Sequence, residues 1–313
     1  MLMIDGENVR RLTEFRPLVE AIREMFCKDC VMPVRHHHTV KVPGAPDATI
    51  LLMPAWTEGE FVGVKLVNVF PGNSAHGKAA VSGVYVLFDG LTGFPLVLID
   101  GGELTARRTA AASALAADYL ARKDASQLLV VATGRLALNI IGAYRAIRPI
   151  ERVTVWGRDR AKAEKIVARL AHEDIEAAVA TDLAAAVEEA DIVSCATLAE
   201  TPLIHGEWLR PGVHLDLIGG FTPKMREADD ECIRRARVFC DVMDSATREA
   251  GDLTQPIASG VLKREEIEAD LYGLCRGEHP GRTDDYEITL FKSAGAALED
   301  LAGALLAWRQ SRT

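Results

Sequence analysis

Leu128-Leu129-Val130-Val131-Ala132-Thr133-Gly134-Arg135-Leu136-Ala137 is the stretch that decides the fold, because an apolar run closes on a tight turn and opens a helix. It follows the G-x-G-x-x-G/A pattern with Ala132 in place of the first glycine. In that pattern Gly134 lets the backbone approach a pyrophosphate at the helix N-terminus, and Ala137 allows close packing of helix on strand. Thr133, Arg135 and Leu136 complete the turn. The bare pattern also suits an ordinary βα turn. What favours a dinucleotide is its context of strand, helix and second strand at the expected distance.

Outward from this turn, strands at 128–131, 152–156, near 177–179, 192–195 and 214–218 alternate with helices from 135, from 161 and at 183–189. Such alternation predicts right-handed βαβ units in a doubly wound parallel sheet. Upstream, Phe15, Val19, Ile22 and Phe26 have near-helical spacing over 13–28. Short strands at 50–53, 61–67, 81–88 and 95–100 then predict a mainly antiparallel sheet. Between the last two, Asp89-Gly90-Leu91-Thr92-Gly93 reads as a hairpin loop with both glycines free to take positive φ. An Ala-rich helix over 105–122 opens the second domain, and 289–309 reads as one long Ala/Leu-rich helix returning to the first. The expected fold is therefore α/β, a Rossmann-type doubly wound parallel sheet domain (106–286) inserted in an α+β domain (1–105 plus 287–313).

Composition narrows the function. The 313 residues are 49% hydrophobic and 26% charged, an ordinary globular balance. With 36 Lys+Arg against 45 Asp+Glu the formal charge is -9, which repels nucleic acid and anionic lipid, so a small anionic ligand needs local cations. No apolar run is long enough to span a bilayer, and the acidic start Met1-Leu2-Met3-Ile4-Asp5-Gly6-Glu7 has no secretory character; cytoplasmic residence is the expectation. Six cysteines make no disulfide framework in a chain this long. Cys27-Lys28-Asp29-Cys30 has no second pair to complete a zinc site, and on a strand the successive side chains of His36-His37-His38 point to opposite faces, so no metal is expected.

After the second strand comes Trp156-Gly157-Arg158-Asp159-Arg160. Arg158 and Arg160 favour a 2′-phosphate, hence NADPH; Asp159 suits the ribose hydroxyls of NADH, which stays open, and two solvated arginines at a helix start are the bland alternative.

Met32-Pro33-Val34-Arg35, Gly63-Val64-Lys65, Leu104-Thr105-Ala106-Arg107-Arg108-Thr109-Ala110-Ala111, Pro280-Gly281-Arg282 and Thr289-Leu290-Phe291-Lys292-Ser293-Ala294-Gly295 together resemble the ornithine cyclodeaminase/mu-crystallin family over nearly the whole chain. The resemblance implies a homodimer formed through the N-terminal sheet domain. It also implies that Arg35, Lys65 and Arg108 hold a substrate carboxylate near the nicotinamide, a task suited to bidentate guanidinium groups and a mobile lysine proton. Ala196, Thr197 and Ser293 join the expected cofactor contacts, and Gly220 and Phe221 the substrate pocket.

Where cyclodeaminases carry Gly-Gly-Asp, with a carboxylate that moves protons at the amine, this chain has Gly219-Gly220-Phe221-Thr222-Pro223-Lys224-Met225-Arg226-Glu227. Phe221 transfers no proton. The segment looks like the branch that reduces cyclic ketimines. The implied activity is NAD(P)H-dependent reduction of Δ1-pyrroline-2-carboxylate to L-proline, or of its six-membered homologue to L-pipecolate, the iminium being bound ready-made or protonated by Lys65 through a water. An ornithine cyclodeaminase, a non-catalytic NADPH-binding protein like mu-crystallin, and an opine-type or alanine dehydrogenase using the same clamp on an open-chain imine are the alternatives. Met225 to Asp230 reads as a plain helix start, with no catalytic role for Glu227.

Overall fold

Two units account for the chain: Met1–Arg108 with the segment from Ala297 onward, and Thr109–Ala296. The computed structural model describes residues 1–312.

In the first unit β1 (Leu2–Ile4), α1 (Gly6–Leu12) and α2 (Phe15–Cys27) lead into β2 (Cys30–Val31), β3 (His36–Val40), β4 (Ala48–Thr57), β5 (Phe61–Val69), β6 (Val81–Asp89) and β7 (Pro95–Asp100). The sheet order is β1-β7-β6-β5-β4-β2, with β3 also on β4, and only the β1–β7 pair is parallel. Alternation along the strands sorts the two faces. Ala55, Lys65, Tyr85, Leu87, Val97 and Ile99 are buried on one, and Leu52, Pro54, Val64, Leu66, Val86 and Leu98 are partly exposed on the other. The C-terminal helix, numbered last below, packs on β4, β5 and β6. Leu18, Val19, Ile22, Met25 and Phe26 of α2 are all buried, the stripe expected of one helix face.

Helix α3 (Gly101–Leu120) leads into the second unit: β8 (Gln127–Val131), α4 (Leu136–Ile147), β9 (Arg152–Trp156), α5 (Arg160–Leu170), β10 (Glu176–Val179), α6 (Leu183–Glu189), β11 (Ile192–Cys195) and β12 (His214–Leu217). Then follow α7 (Asp230–Arg235), β13 (Arg237–Cys240), α8 (Met243–Glu249), α9 (Gly251–Ser259), β14 (Ala269–Asp270), α10 (Leu271–Cys275) and β15 (Thr289–Lys292), and last the C-terminal helix α11 (Ala297–Gln310). The sheet order is β10-β9-β8-β11-β12-β15-β13-β14, and every pairing is parallel. Chain order reverses about β8, which lies between β9 and β11, so the switch point of a doubly wound sheet falls there.

Three sequence expectations need correction. Residues 289–309 are not one helix, because β15 inserts between β12 and β13 before α11 begins. The unit boundary therefore lies at 296/297 rather than 286/287, and the earlier one lies at 108/109 rather than 105/106, inside α3. In the loop after β6 only Gly93 takes positive φ, 69°; Gly90 does not.

Candidate active site

The expected carboxylate clamp belongs to the first unit. Lys65 lies mid-strand on the buried face of β5 with 2% exposure, and Arg108 on α3 has 5%. Neither stands free. Lys65 Nζ is 2.7 Å from Asp300 Oδ2, Arg108 Nε is 3.0 Å from Asp300 Oδ1, and Arg108 Nη1 is 2.6 Å from Glu299 Oε2. Both acids sit at the start of α11 with no exposure. Asp300 thus bridges the two cations. Burial pushes the Lys65 ammonium down to about 8, and the like charges of Arg108 and Arg35 add to this, while Asp300 pulls the other way. Burial also opposes the Arg108 charge, but Asp300 and Glu299 outweigh it and hold that pKa above its usual value.

Arg35 is half-buried between β2 and β3 and lies within electrostatic reach of Lys65. The three cations expected from sequence therefore share one neighbourhood, with Glu299 and Asp300 paired to Lys65 and Arg108 within it. Arg108 Nη2 makes no hydrogen bond among the described residues, so the arrangement can accept one more carboxylate. Glu299 and Asp300 were not foreseen. The available signal was a charged pair inside the apolar run Ala296-Ala297-Leu298-Glu299-Asp300-Leu301-Ala302.

The second unit holds a cavity of about 550 Å³ at the carboxyl ends of β8, β9 and β11. Thr133, Gly134, Gly157, Arg158, Asp159, Ala196 and Thr197 line it. Its geometry suits a dinucleotide. A Cβ on Gly134 would meet nothing within 4 Å, whereas one on Gly157 would stand 2.3 Å from Thr133 Cγ2 and force that side chain to shift. Arg135 and Leu136 do not line the cavity, and Ala137, fully buried under the turn, serves packing instead. Ser293 is also elsewhere, 2% exposed at the end of β15 with its Oγ 3.4 Å from Asp241 Oδ2.

Of the two arginines after β9, Arg160 is tied to Glu164 at 2.9 Å and is not part of the lining. Arg158 lines the cavity and makes no ion pair among the described residues. Asp159 caps α5, its Oδ1 accepting from the Ala161 backbone N–H at 3.1 Å. Lys162, missed in the sequence reading, adds a second cation to the lining from the first turn of α5, its Nζ 3.8 Å from Asp159 Oδ2.

The segment after β12 behaves differently from its expectation. Gly220 is buried and Phe221 is 48% exposed. Glu227, read as part of a plain helix start, is fully buried, and α7 begins only at Asp230. Among the described residues no cluster of His, Cys, Asp and Glu could hold a metal, and no helix is long and apolar enough to cross a membrane.

Sheet order, switch point and cavity together define a Rossmann-type α/β protein. The description of the ornithine cyclodeaminase/mu-crystallin family matches residues 2–310, and the chain belongs to that family. A Δ1-pyrroline-2-carboxylate reductase of Paracoccus denitrificans is 40% identical over 296 residues, 92% of this chain and 94% of the relative. The solved structure of the Thermococcus litoralis Δ1-pyrroline-2-carboxylate reductase, in complex with NADH and L-proline, has a TM-score of 0.92 at 31% identity, covering 100% of this chain and 98% of that one. An archaeal alanine dehydrogenase dimer with bound NAD has a TM-score of 0.91 at 28% identity, covering 100% and 96%.

Proposed function

We propose that the chain is an NAD(P)H-dependent ketimine reductase that converts Δ1-pyrroline-2-carboxylate to L-proline. The observation that carries this reading is the buried Lys65 and Arg108 pair on Asp300 and Glu299, with Arg35 in reach and the Nη2 edge of Arg108 left for one more carboxylate. The Paracoccus relative and the proline-bound Thermococcus structure support the choice of substrate. Δ1-Piperideine-2-carboxylate, giving L-pipecolate, suits the same clamp.

Arg108, through its remaining Nη2 edge, and Arg35 grip the substrate carboxylate. A dihydronicotinamide, when bound, supplies hydride to C2 of the imine. Lys65 gives a proton to the ring nitrogen through a water and regains it from solvent, a role that its pKa of about 8 permits near neutral pH. Phe221, standing where cyclodeaminases carry a carboxylate, neither takes nor gives a proton, which disfavours the lyase reaction on ornithine. The test is consumption of the reduced nicotinamide when the cyclic imine is added. An inert mixture overturns the reading.

For the cofactor, Arg158 and Lys162 on the cavity wall favour the 2′-phosphate of NADPH. Replacing Arg158 with Ala is expected to raise the KM for NADPH by about tenfold, the effect of losing one charge-assisted contact of about 1.4 kcal/mol, with little change for NADH. Initial rates with each nucleotide check this, and equal effects on both would contradict it. Residence in the cytoplasm agrees with the buried thiols of Cys195, Cys232 and Cys240.

The partner is a second copy of the chain. The partly exposed sheet face carrying Leu52, Pro54, Val64, Leu66, Val86 and Leu98 is the surface it would cover. Sedimentation at twice the chain mass of 34.0 kDa is expected; a monomer at micromolar concentration would refute the assignment.

A further inference from the structure

The least expected feature of the second unit is a buried acid–base group beneath the cavity. Glu227 Oε1 accepts from the Thr197 backbone N–H at 2.6 Å and from Thr197 Oγ1 at 2.8 Å, while Oε2 accepts from the Gly219 backbone N–H at 2.6 Å. One carboxylate therefore joins the chain after β11 to the chain after β12. The joint is tight: a Cβ on Gly219 would stand 2.0 Å from Thr197 O and 2.4 Å from Glu227 Oε1. Glu227 is fixed in turn, its own N–H donating to Asp252 Oδ1 at 2.7 Å, and Asp252 Oδ2 lies 3.1 Å from Lys292 Nζ. Thr197 lines the nucleotide cavity; Glu227, Asp252 and Lys292 lie behind it.

We propose that Glu227 is a positioning residue for the cofactor: its carboxylate holds Thr197 at the cavity wall by tying it to Gly219, so the affinity of the cavity depends on whether that carboxylate is ionised. The inference rests on the dinucleotide part of the functional reading. All three donors need an acceptor, and a protonated carboxyl turns one of its oxygens into a donor, so at least one of the bonds to Thr197 or Gly219 is weakened. Several groups face Glu227. Asp252 on α9 adds negative charge, Lys292 on β15 adds positive charge, and Cys195 on β11 lies behind. Burial is the largest influence and, with Asp252, pushes Glu227 up to about 7 against the pull of Lys292 and the Thr197 bonds. The ionised, tie-forming state thus dominates above neutral pH and is lost below it.

The test is fluorescence titration of the full-length protein with NADH between pH 6 and 8, with NADPH in parallel. NADH is the main probe because it carries no phosphate titrating in this range. Wild type is expected to bind about tenfold more weakly at pH 6 than at pH 8, the change produced by one proton taken up over one pH unit below the midpoint. Glu227→Gln, whose amide must present a donor to one of the three donors, is expected to bind weakly at both pH values with no pH dependence. Thr197→Val, which removes only the hydroxyl donor, should move the midpoint to higher pH because a bond that favours the ionised form is lost. That second variant decides the matter should Glu227→Gln fail to fold. A pH profile unchanged in Glu227→Gln, or a midpoint unmoved in Thr197→Val, would overturn the inference while leaving the cofactor reading intact. Binding of neither nucleotide by wild type would overturn both.

Discussion

Replacing Lys65 with Met is expected to lower turnover of Δ1-pyrroline-2-carboxylate by about 10³-fold, the mid-range effect of removing a general acid, with the affinity for NADPH unchanged. The second half follows because every residue lining the nucleotide cavity belongs to the other unit. Folding should survive, since Arg108 still answers Asp300 at 3.0 Å and Met keeps most of the lysine stem's packing. In the wild-type enzyme the same ammonium should give kcat/KM for imine reduction a limb that falls above about pH 8, where Lys65 loses its proton. Stopped-flow turnover beside a fluorescence titration checks both statements. Activity within a few-fold of wild type in the Met variant would remove Lys65 from the proton path.

Replacing Asp300 with Ala carries the largest expected cost in stability. Asp300 is the carboxylate shared by Lys65 and Arg108, and all three side chains are almost wholly buried. Its removal leaves the Lys65 ammonium without a counter-ion in an interior that hydrates it poorly, a loss of about 3–5 kcal/mol for breaking a buried pair from one side. Urea denaturation followed by circular dichroism measures it. The isosteric Asp300→Asn variant separates charge from volume: the attraction that raises the Lys65 pKa disappears, so the alkaline limb of kcat/KM should move below pH 8. A stability change under about 1 kcal/mol in the Ala variant, together with an unmoved limb in the Asn variant, would mean that Asp300 does not balance the clamp.

How far the sequence reaches differs from residue to residue for physical reasons. The β8 turn, the alternation after it and the antiparallel strands before it were legible because each is a local pattern of spacing and turn chemistry. Strand β15 was not. Its four residues run into the Ala-rich start of α11, and only long-range pairing with β12 and β13 distinguishes a buried strand from a helix end. Lys65 and Arg108 could be named from the resemblance, yet the state of their charges could not, because Glu299 and Asp300 lie almost two hundred residues beyond Arg108 in the chain. Glu227 illustrates the same limit, since a run such as Met225-Arg226-Glu227-Ala228-Asp229-Asp230 looks like a solvated helix start until the chain brings Thr197 and Gly219 to its carboxylate. Arg160 differs in the opposite direction: its charge suited a phosphate, but it pairs with Glu164 on the exposed face of α5 and does not line the cavity.

The decisive measurement is the absorbance of NADPH and NADH mixed with purified protein and freshly generated Δ1-pyrroline-2-carboxylate, beside a second mixture of protein, NAD and L-ornithine assayed for ammonia. The expected result is oxidation of the reduced nucleotide with stoichiometric proline in the first and no ammonia in the second. Ammonia release from ornithine would contradict it, because some other group would then be moving protons where Phe221 stands. Silence in both mixtures would bring the ketimine reductase reading down.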